Sequence, residues 1–307
     1  MLALVLLIIF ALTYYLLVGL VIFKLIFSRR SVKSKALKKD SDGKLKQHKI
    51  DLCWWEAQKF SRVEIKSFDG LKLCGFFKSA NSNKTVLILH GFGGSHLDMQ
   101  PYCKFFCDKN FNVLCVDNRT HGQSEGNFIG FGWLDRKDVC SWVQYLNEKY
   151  PDNKILLFGL SMGATAVCMA SGESLQNVMG IVSDCAFDNA DREISFVLKK
   201  KKMFLKIIQK HLYSFALRVY GFDIKQADSI KMVKNTKVPI LYIHGAEDEL
   251  VPVQNAYNLF GATPQNLREL MIVDDATHAR SYAVAGVLYE KKISDFLKSR
   301  TIIGIEN

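Results

Sequence analysis

Three residues far apart in the chain have the types and the surroundings for nucleophilic acyl chemistry: Ser161, Asp248 and His278. Ser161 is the apex of Gly159-Leu160-Ser161-Met162-Gly163, between the apolar run Ile155-Leu156-Leu157-Phe158 and the small-residue run Ala164-Thr165-Ala166-Val167. That order predicts a strand, a tight turn and a helix. Glycine is needed on both sides because the serine sits in a strained backbone conformation and a neighbouring side chain would strike the following helix. Asp248 follows the apolar run Ile240-Leu241-Tyr242-Ile243, and His278 follows Glu269-Leu270-Met271-Ile272-Val273. Serine, acid and histidine thus occur in the order expected behind such an elbow, on what should be three neighbouring strand ends. In this arrangement His278 would take the serine proton, and Asp248 would fix the imidazole tautomer and stabilise the imidazolium.

The transition state of acyl transfer also needs donors for a developing oxyanion. The glycine-rich stretch His90-Gly91-Phe92-Gly93-Gly94-Ser95 follows Val86-Leu87-Ile88-Leu89, and its turn can aim the Phe92 amide at the same point as the Met162 amide. A phosphate-cradling loop would end in Gly-Lys-Ser/Thr, which is missing here. The polar segment Asp117 to Gly126 contains His121. It is expected to be an ionic and hydrogen-bonded turn rather than the source of the base. Glu247, Glu249 and especially Asp184, at the end of another apolar run, are rivals for the acid.

These residues must be held by strands. Val86–Leu89, Val113–Val116, Ile155–Phe158, Met179–Val182 and Ile240–Ile243 are continuous apolar runs separated by helical stretches. Runs buried on both faces with helices between them predict an α/β fold, a doubly wound and mostly parallel sheet with its site at the carboxyl ends of the strands. Two alternating segments, Arg62 to Ser67 and Leu71 to Phe77, flank Phe68-Asp69-Gly70 and predict an antiparallel hairpin at the sheet edge.

The chain has 307 residues, of which 49% are hydrophobic, and a formal net charge of +11. Met1 to Phe23 carries no charged side chain, and about 20 apolar residues cross a bilayer as a helix. A cleaved signal peptide fits less well, because no basic residue precedes the run and the run exceeds the usual length of such a core. Between Lys24 and Lys49 lie ten basic residues against Asp40 and Asp42, a net +8 of the +11. A basic flank beside an apolar span is explained by cytoplasmic retention and by attraction to anionic headgroups, so nucleic acid is not an expected partner. The expected organisation is a transmembrane anchor at 1–27, a basic linker at 28–49 and an enzymatic body at 50–303 facing the cytoplasm. The eight cysteines form no Cys-x-x-Cys pair, and several fall inside apolar runs. Reduced thiols are expected, with no metal and no cofactor.

The elbow, the His90 to Gly94 loop, the Asp117 to Gly126 turn, Asp248 and His278, in this order, resemble the α/β-hydrolase superfamily. Within it the chain resembles membrane-anchored bacterial hydrolases related to serine aminopeptidases and acylglycerol lipases. Gly130-Phe131-Gly132-Trp133-Leu134-Asp135-Arg136 strengthens the likeness. The resemblance implies serine-dependent hydrolysis of carboxylic esters through an acyl-enzyme, with thioesters, amides or peptides as other acyl groups. A hydrolase-like scaffold without chemistry is the reading from another class. About fifty residues separate Asp184 from the Val238-Pro239 strand, room for a helical cap at about 186–235. Its lysines at 199–202, 206 and 210 suit either a lid on anionic membrane, admitting lipid-like substrates, or an ordinary cap helix with lysines in water.

Overall fold

The computed structural model of the chain describes residues 1–27, 52–200 and 205–299. The basic linker predicted at 28–49, the two ends of the body predicted at 50–303 and residues 201–204 inside the predicted cap lie outside them.

A helix α1 (Leu2–Phe27) begins the chain and a short helix α2 (Leu52–Ala57) leads into the body. The body's sheet has eight strands: β1 (Ser61–Lys66), β2 (Lys72–Lys78), β3 (Lys84–Leu89), β4 (Asn112–Val116), β5 (Lys154–Leu160), β6 (Val178–Asp184), β7 (Ile240–Gly245) and β8 (Arg268–Val273). Their spatial order is β1-β2-β4-β3-β5-β6-β7-β8. Only β2 runs against the rest, pairing antiparallel with both β1 and β4. The hairpin is therefore at the edge, as its alternating pattern predicts, and Gly70 turns it with a φ of +86°.

The continuous apolar runs are explained by two cores, one on each face of the sheet. From β3, Leu87 and Leu89 point to one face, where Trp142 of α4 (Asp135–Lys149) packs. Val86 and Ile88 point to the other, against Phe106 of α3 (Gln100–Asp108) and Phe296 of the last helix. Successive side chains alternate across a strand, so covering both faces demands apolar residues at every position.

Each parallel connection returns over the sheet through a helix, and that from β5 to β6 uses α5 (Met162–Ala170). The connection from β6 to β7 carries α6 (Ala190–Lys200), α7 (Leu205–Tyr220) and α8 (Ser229–Val233). An isolated bridge between Asn189 and Asp228 ties the base of this excursion. A third apolar cluster lies beneath it, joining Met162, Phe187, Ile194, Leu212 and Phe215 to Phe23 of α1. After β7 come α9 (Gln254–Ala262), β8, α10 (Ser281–Ala285) and α11 (Val287–Ser299).

The strand order corrects one expectation. Ser161, Asp248 and His278 follow β5, β7 and β8, and β6 stands between the first two. Sheet order depends on pairings between distant segments, which the local pattern does not encode. The side chains meet because Asp248 and His278 lie several residues past their strands and reach across the end of β6.

Candidate active site

Ser161 joins β5 to α5 with φ 54° and ψ −116°, a region non-glycine residues occupy at a cost of order 1–3 kcal/mol. Its amide donates to the Asp184 carbonyl at 2.8 Å, and its own carbonyl accepts from Thr165 N–H at 2.9 Å as the helix begins. A Cβ on Gly159 would lie 2.4 Å from the Gly163 carbonyl carbon, and one on Gly163 would lie 2.5 Å from the Leu89 carbonyl oxygen. The two glycines thus permit the close crossing of β5, α5 and β3 that presents the serine.

Ser161 Oγ lies 2.8 Å from His278 Nε2, and His278 Nδ1 lies 2.7 Å from Asp248 Oδ2. With Nδ1–H donated to the carboxylate, Nε2 is left as an acceptor facing the hydroxyl. Asp248 Oδ1 accepts from the amides of Leu250 at 2.9 Å and Val251 at 2.8 Å. Burial opposes ionisation of Asp248. The hydrogen bonds from His244, His278 and the Val251 amide outweigh it and hold the carboxyl well below the usual carboxylate range. His244 was not singled out from the sequence. Its Nε2 lies 2.8 Å from the Val251 carbonyl and 3.3 Å from Asp248 Oδ2, bracing the acid from behind. Its place at the end of β7, four residues before Asp248, was the available signal.

The strongest rival acid is bonded elsewhere. Asp184 is fully buried and accepts from Tyr289 Oη at 2.9 Å, and burial pushes its carboxyl up to about 6. Glu247 and Glu249 line a cleft of about 830 Å³ between Phe196 and Val197 of α6 and the loops bearing Asp248 and His278. Cys185 has its sulfur within 4.8 Å of ligand atoms of Asp248 and His278, the kind of group a metal could use. Those two side chains already bond each other, and burial pushes the Cys185 thiol far up, which disfavours the thiolate a metal would need.

The loop after β3 is built around neutral histidines. Gly91 approaches so closely that a Cβ there would lie 3.2 Å from Ser161 Cβ. His90 Nε2 accepts from the Asn118 amide at 3.0 Å, leaving Nδ1–H to donate to the Gly91 carbonyl at 2.7 Å. Burial lowers the His90 pKa, favouring that neutral form. Gly93 takes φ +77° and its amide donates to His121 Nε2 at 3.2 Å, while His121 Nδ1 lies 2.8 Å from the Arg119 carbonyl. His121 is thus a support of the glycine loop rather than a partner of Ser161, in keeping with the structural role expected of its segment. Arg119 is buried and bonds Asp138 through two nitrogens at 2.6 and 2.7 Å, with Asp69 at 3.0 Å. Asp117 accepts from the His96 amide and ring and from the Gln123 amide. Burial works against its charge, but these bonds lower its carboxyl to about 2.

Phe92 sits beside this support, its ring meeting His121 edge-on and Phe131 at 6.1 Å. Met162 is the first residue of α5, where a helix leaves its N–H groups without intrahelical acceptors, and its side chain is buried under the cap. The site therefore combines a lifted hydroxyl, an imidazole oriented by a carboxylate, and a glycine loop that leaves little room for a side chain between Gly91 and Ser161. Such a set can attack an acyl carbon.

The chain is also similar to known proteins. The serine aminopeptidase S33 family matches residues 80–232, from β3 through the elbow and into α8. An esterase of Pyrococcus furiosus, Pf2001, superposes with a TM-score of 0.66 at 26% identity, covering 79% of this chain and 92% of that one. YqkD of Bacillus subtilis is 25% identical over 277 residues, 89% of each chain. A monoacylglycerol lipase of Xenopus laevis, abhd6-A, is 28% identical over 143 residues, 45% of this chain and 41% of its own. Sheet, elbow and likenesses agree, and the chain belongs to the α/β-hydrolase superfamily, as a hydrolase resembling its serine aminopeptidase and acylglycerol lipase group.

Proposed function

We propose that the protein is a membrane-tethered serine hydrolase of carboxylic esters, acting through an acyl-enzyme on Ser161. The observation that carries this reading is the continuous relay from Ser161 Oγ to His278 Nε2 at 2.8 Å and from His278 Nδ1 to Asp248 Oδ2 at 2.7 Å. As Oγ attacks the carbonyl carbon, its proton passes to Nε2 and the imidazolium is stabilised by Asp248. The carbonyl oxygen becomes an oxyanion held by the Phe92 and Met162 amides. The tetrahedral intermediate collapses, Nε2–H protonates the departing alcohol, and the acyl group remains on Ser161. Water then repeats the sequence with His278 as base, releasing the carboxylic acid and the free serine.

The ester preference is supported by the likeness to the Pyrococcus furiosus esterase and the Xenopus laevis monoacylglycerol lipase. Tethering is supported by α1, whose segment Leu2–Val21 is long and apolar enough to cross a membrane. The basic flank after it argues for a single pass with the body on the cytoplasmic side. The partners in this reading are a small acyl substrate of lipid-like character and the membrane itself.

A fluorophosphonate probe tests the reading, because it phosphonylates only an activated serine. The full chain should be labelled on Ser161, and a panel of esters, thioesters and amides should compete in the order of their turnover. Absence of labelling would leave the hydrolase-like scaffold as the better account.

The glycine loop supplies a separate prediction. His121→Met removes the acceptor for the Gly93 amide at similar volume, and the loop carrying Phe92 should lose its position. A loss of kcat of up to about 10²-fold is expected, the scale of a misplacement near 1 Å, with KM nearly unchanged. His121→Gln offers an oxygen near the position of Nε2 and should restore most of the rate in steady-state assays.

A further inference from the structure

The helix that would span the membrane is also docked on the cap. Tyr15 Oη donates to Ser214 Oγ at 2.8 Å, and His211 Nε2 donates to the Tyr15 carbonyl at 3.1 Å. Gly19 lies against Phe215 so tightly that a Cβ there would be 2.4 Å from the ring. Phe23 is buried between Phe215 and Phe128, with ring centroids 5.8 Å from each. Tyr15, Gly19 and Phe23 are spaced i, i+4, i+8 and so share one face of α1. The opposite face is bare: Leu16, Leu17 and Val21 are exposed, as is nearly all of Leu2 to Tyr14.

This docking has a consequence for depth. Leu2–Val21 is a 20-residue apolar segment, and 20 helical residues match roughly 30 Å of hydrocarbon, so Val21 marks one boundary. Tyr15 then lies about 9 Å inside it, at 1.5 Å per residue. The part of α7 that grips Tyr15 is carried down with it. The polar groups at that contact are paired with one another, as a low-dielectric setting requires. The next residues of α7 suit an interface: Leu217 and Val219 are 51% and 47% exposed, and Arg218, whose guanidinium lies 5.8 Å from the Tyr15 ring, is long enough to reach back to headgroups.

We propose that α1 and α7 act as one unit that seats the cap in the headgroup region of the bilayer, so that the site takes its acyl substrate from the membrane rather than from water. The occupant of the exposed α7 surface is the lipid leaflet that α1 enters, because Leu217 and Val219 flank Arg218, whose guanidinium lies 5.8 Å from the ring of Tyr15 within the apolar segment. Phe23 extends the same apolar matter inward to Phe128, in the cluster that also holds Met162 and borders Phe92 beside Ser161. The substrate class is a long-chain acyl ester dissolved in the bilayer. This rests on the serine-hydrolase reading for its chemistry and on the span reading of α1 for its geometry.

The test uses the full chain in phosphatidylcholine vesicles with two esters of one fluorogenic alcohol, an acetate dissolved in water and an oleate held in the bilayer. Gly19→Leu keeps the span apolar but forces α1 off Phe215, and the paired change Leu217→Glu with Val219→Glu makes the lipid-facing surface polar without touching the core. Each variant should remain in the membrane, keep acetate hydrolysis and fluorophosphonate labelling within about twofold, and lose oleate hydrolysis by about tenfold or more, a factor worth roughly 1.4 kcal/mol. Equal loss on both esters, or no loss on the oleate, overturns the proposal. A parent chain that neither labels nor hydrolyses acetate would instead count against the serine-hydrolase reading. Seating is then read without catalysis: brominated phospholipid should quench the added fluorescence of Leu217→Trp, and its failure to do so overturns the proposal.

Discussion

Ser161→Ala is expected to lower kcat by about 10⁶-fold and to abolish fluorophosphonate labelling, while leaving the melting temperature nearly unchanged. The magnitude follows from what one oxygen does here. Without Oγ there is no acyl-enzyme, and the oriented His278–Asp248 pair has nothing to deprotonate except water, which no longer sits at a fixed attack position. What survives is stabilisation of the oxyanion by loop and helix amides, which sustains only a small residual rate in serine hydrolases. His278→Ala should cost about as much, and the double variant little more, because the two act as a unit. The fold should hold, since the change removes one partly exposed hydroxyl and keeps the elbow's backbone, including its positive φ. Equal rates for the parent and Ser161→Ala would return the chain to the scaffold reading.

The site was legible in the sequence because its parts are local. The elbow announces itself through glycines on both sides of one serine, Asp248 follows β7, whose burial along its whole length makes it an unbroken apolar run, and His278 follows the half-buried edge strand β8, still marked by Leu270-Met271-Ile272-Val273. What the sequence left hidden depends on segments far apart in the chain. The position of β6 between β5 and β7 is decided by ladder pairing. The use of His121 as an acceptor for the Gly93 amide joins loops 28 residues apart. The docking of α1 on α7 joins residues 199 apart, as in the bond from Tyr15 to Ser214. Gly19 was a visible clue to that contact, a residue without a side chain among large apolar neighbours. Composition correctly marked the segment as apolar, but an apolar helix facing lipid and one facing protein have nearly the same composition, and only the spacing of Tyr15, Gly19 and Phe23 separates the two faces.

The second large effect is expected from a single methyl group. In Gly163→Ala the new Cβ would sit 2.5 Å from the Leu89 carbonyl oxygen and 2.7 Å from the His90 carbonyl oxygen. Both are backbone atoms at the end of β3, a strand paired on both sides with β4 and β5. No rotamer change relieves the contact, so either α5 lifts from the sheet or the end of β3 moves away. Overpacking of this kind costs about 1–3 kcal/mol and at times more, and here it also lengthens a path that matters chemically. Gly91 and Phe92 follow the displaced carbonyl of His90 directly, while Met162 begins the displaced helix, so the two proposed oxyanion donors move apart. A loss of kcat of about 10²–10³-fold is expected, the cost of removing one such donor, together with a lowered melting temperature. The two effects can be separated at Gly91, where a Cβ would meet Ser161 Cβ at 3.2 Å and only a few tenths of an ångström of give is required. Gly91→Ala should therefore leave the melting temperature close to that of the parent and reduce kcat alone. If Gly163→Ala lost stability without a matching loss of turnover, the oxyanion loop would have to be placed elsewhere than at the end of β3.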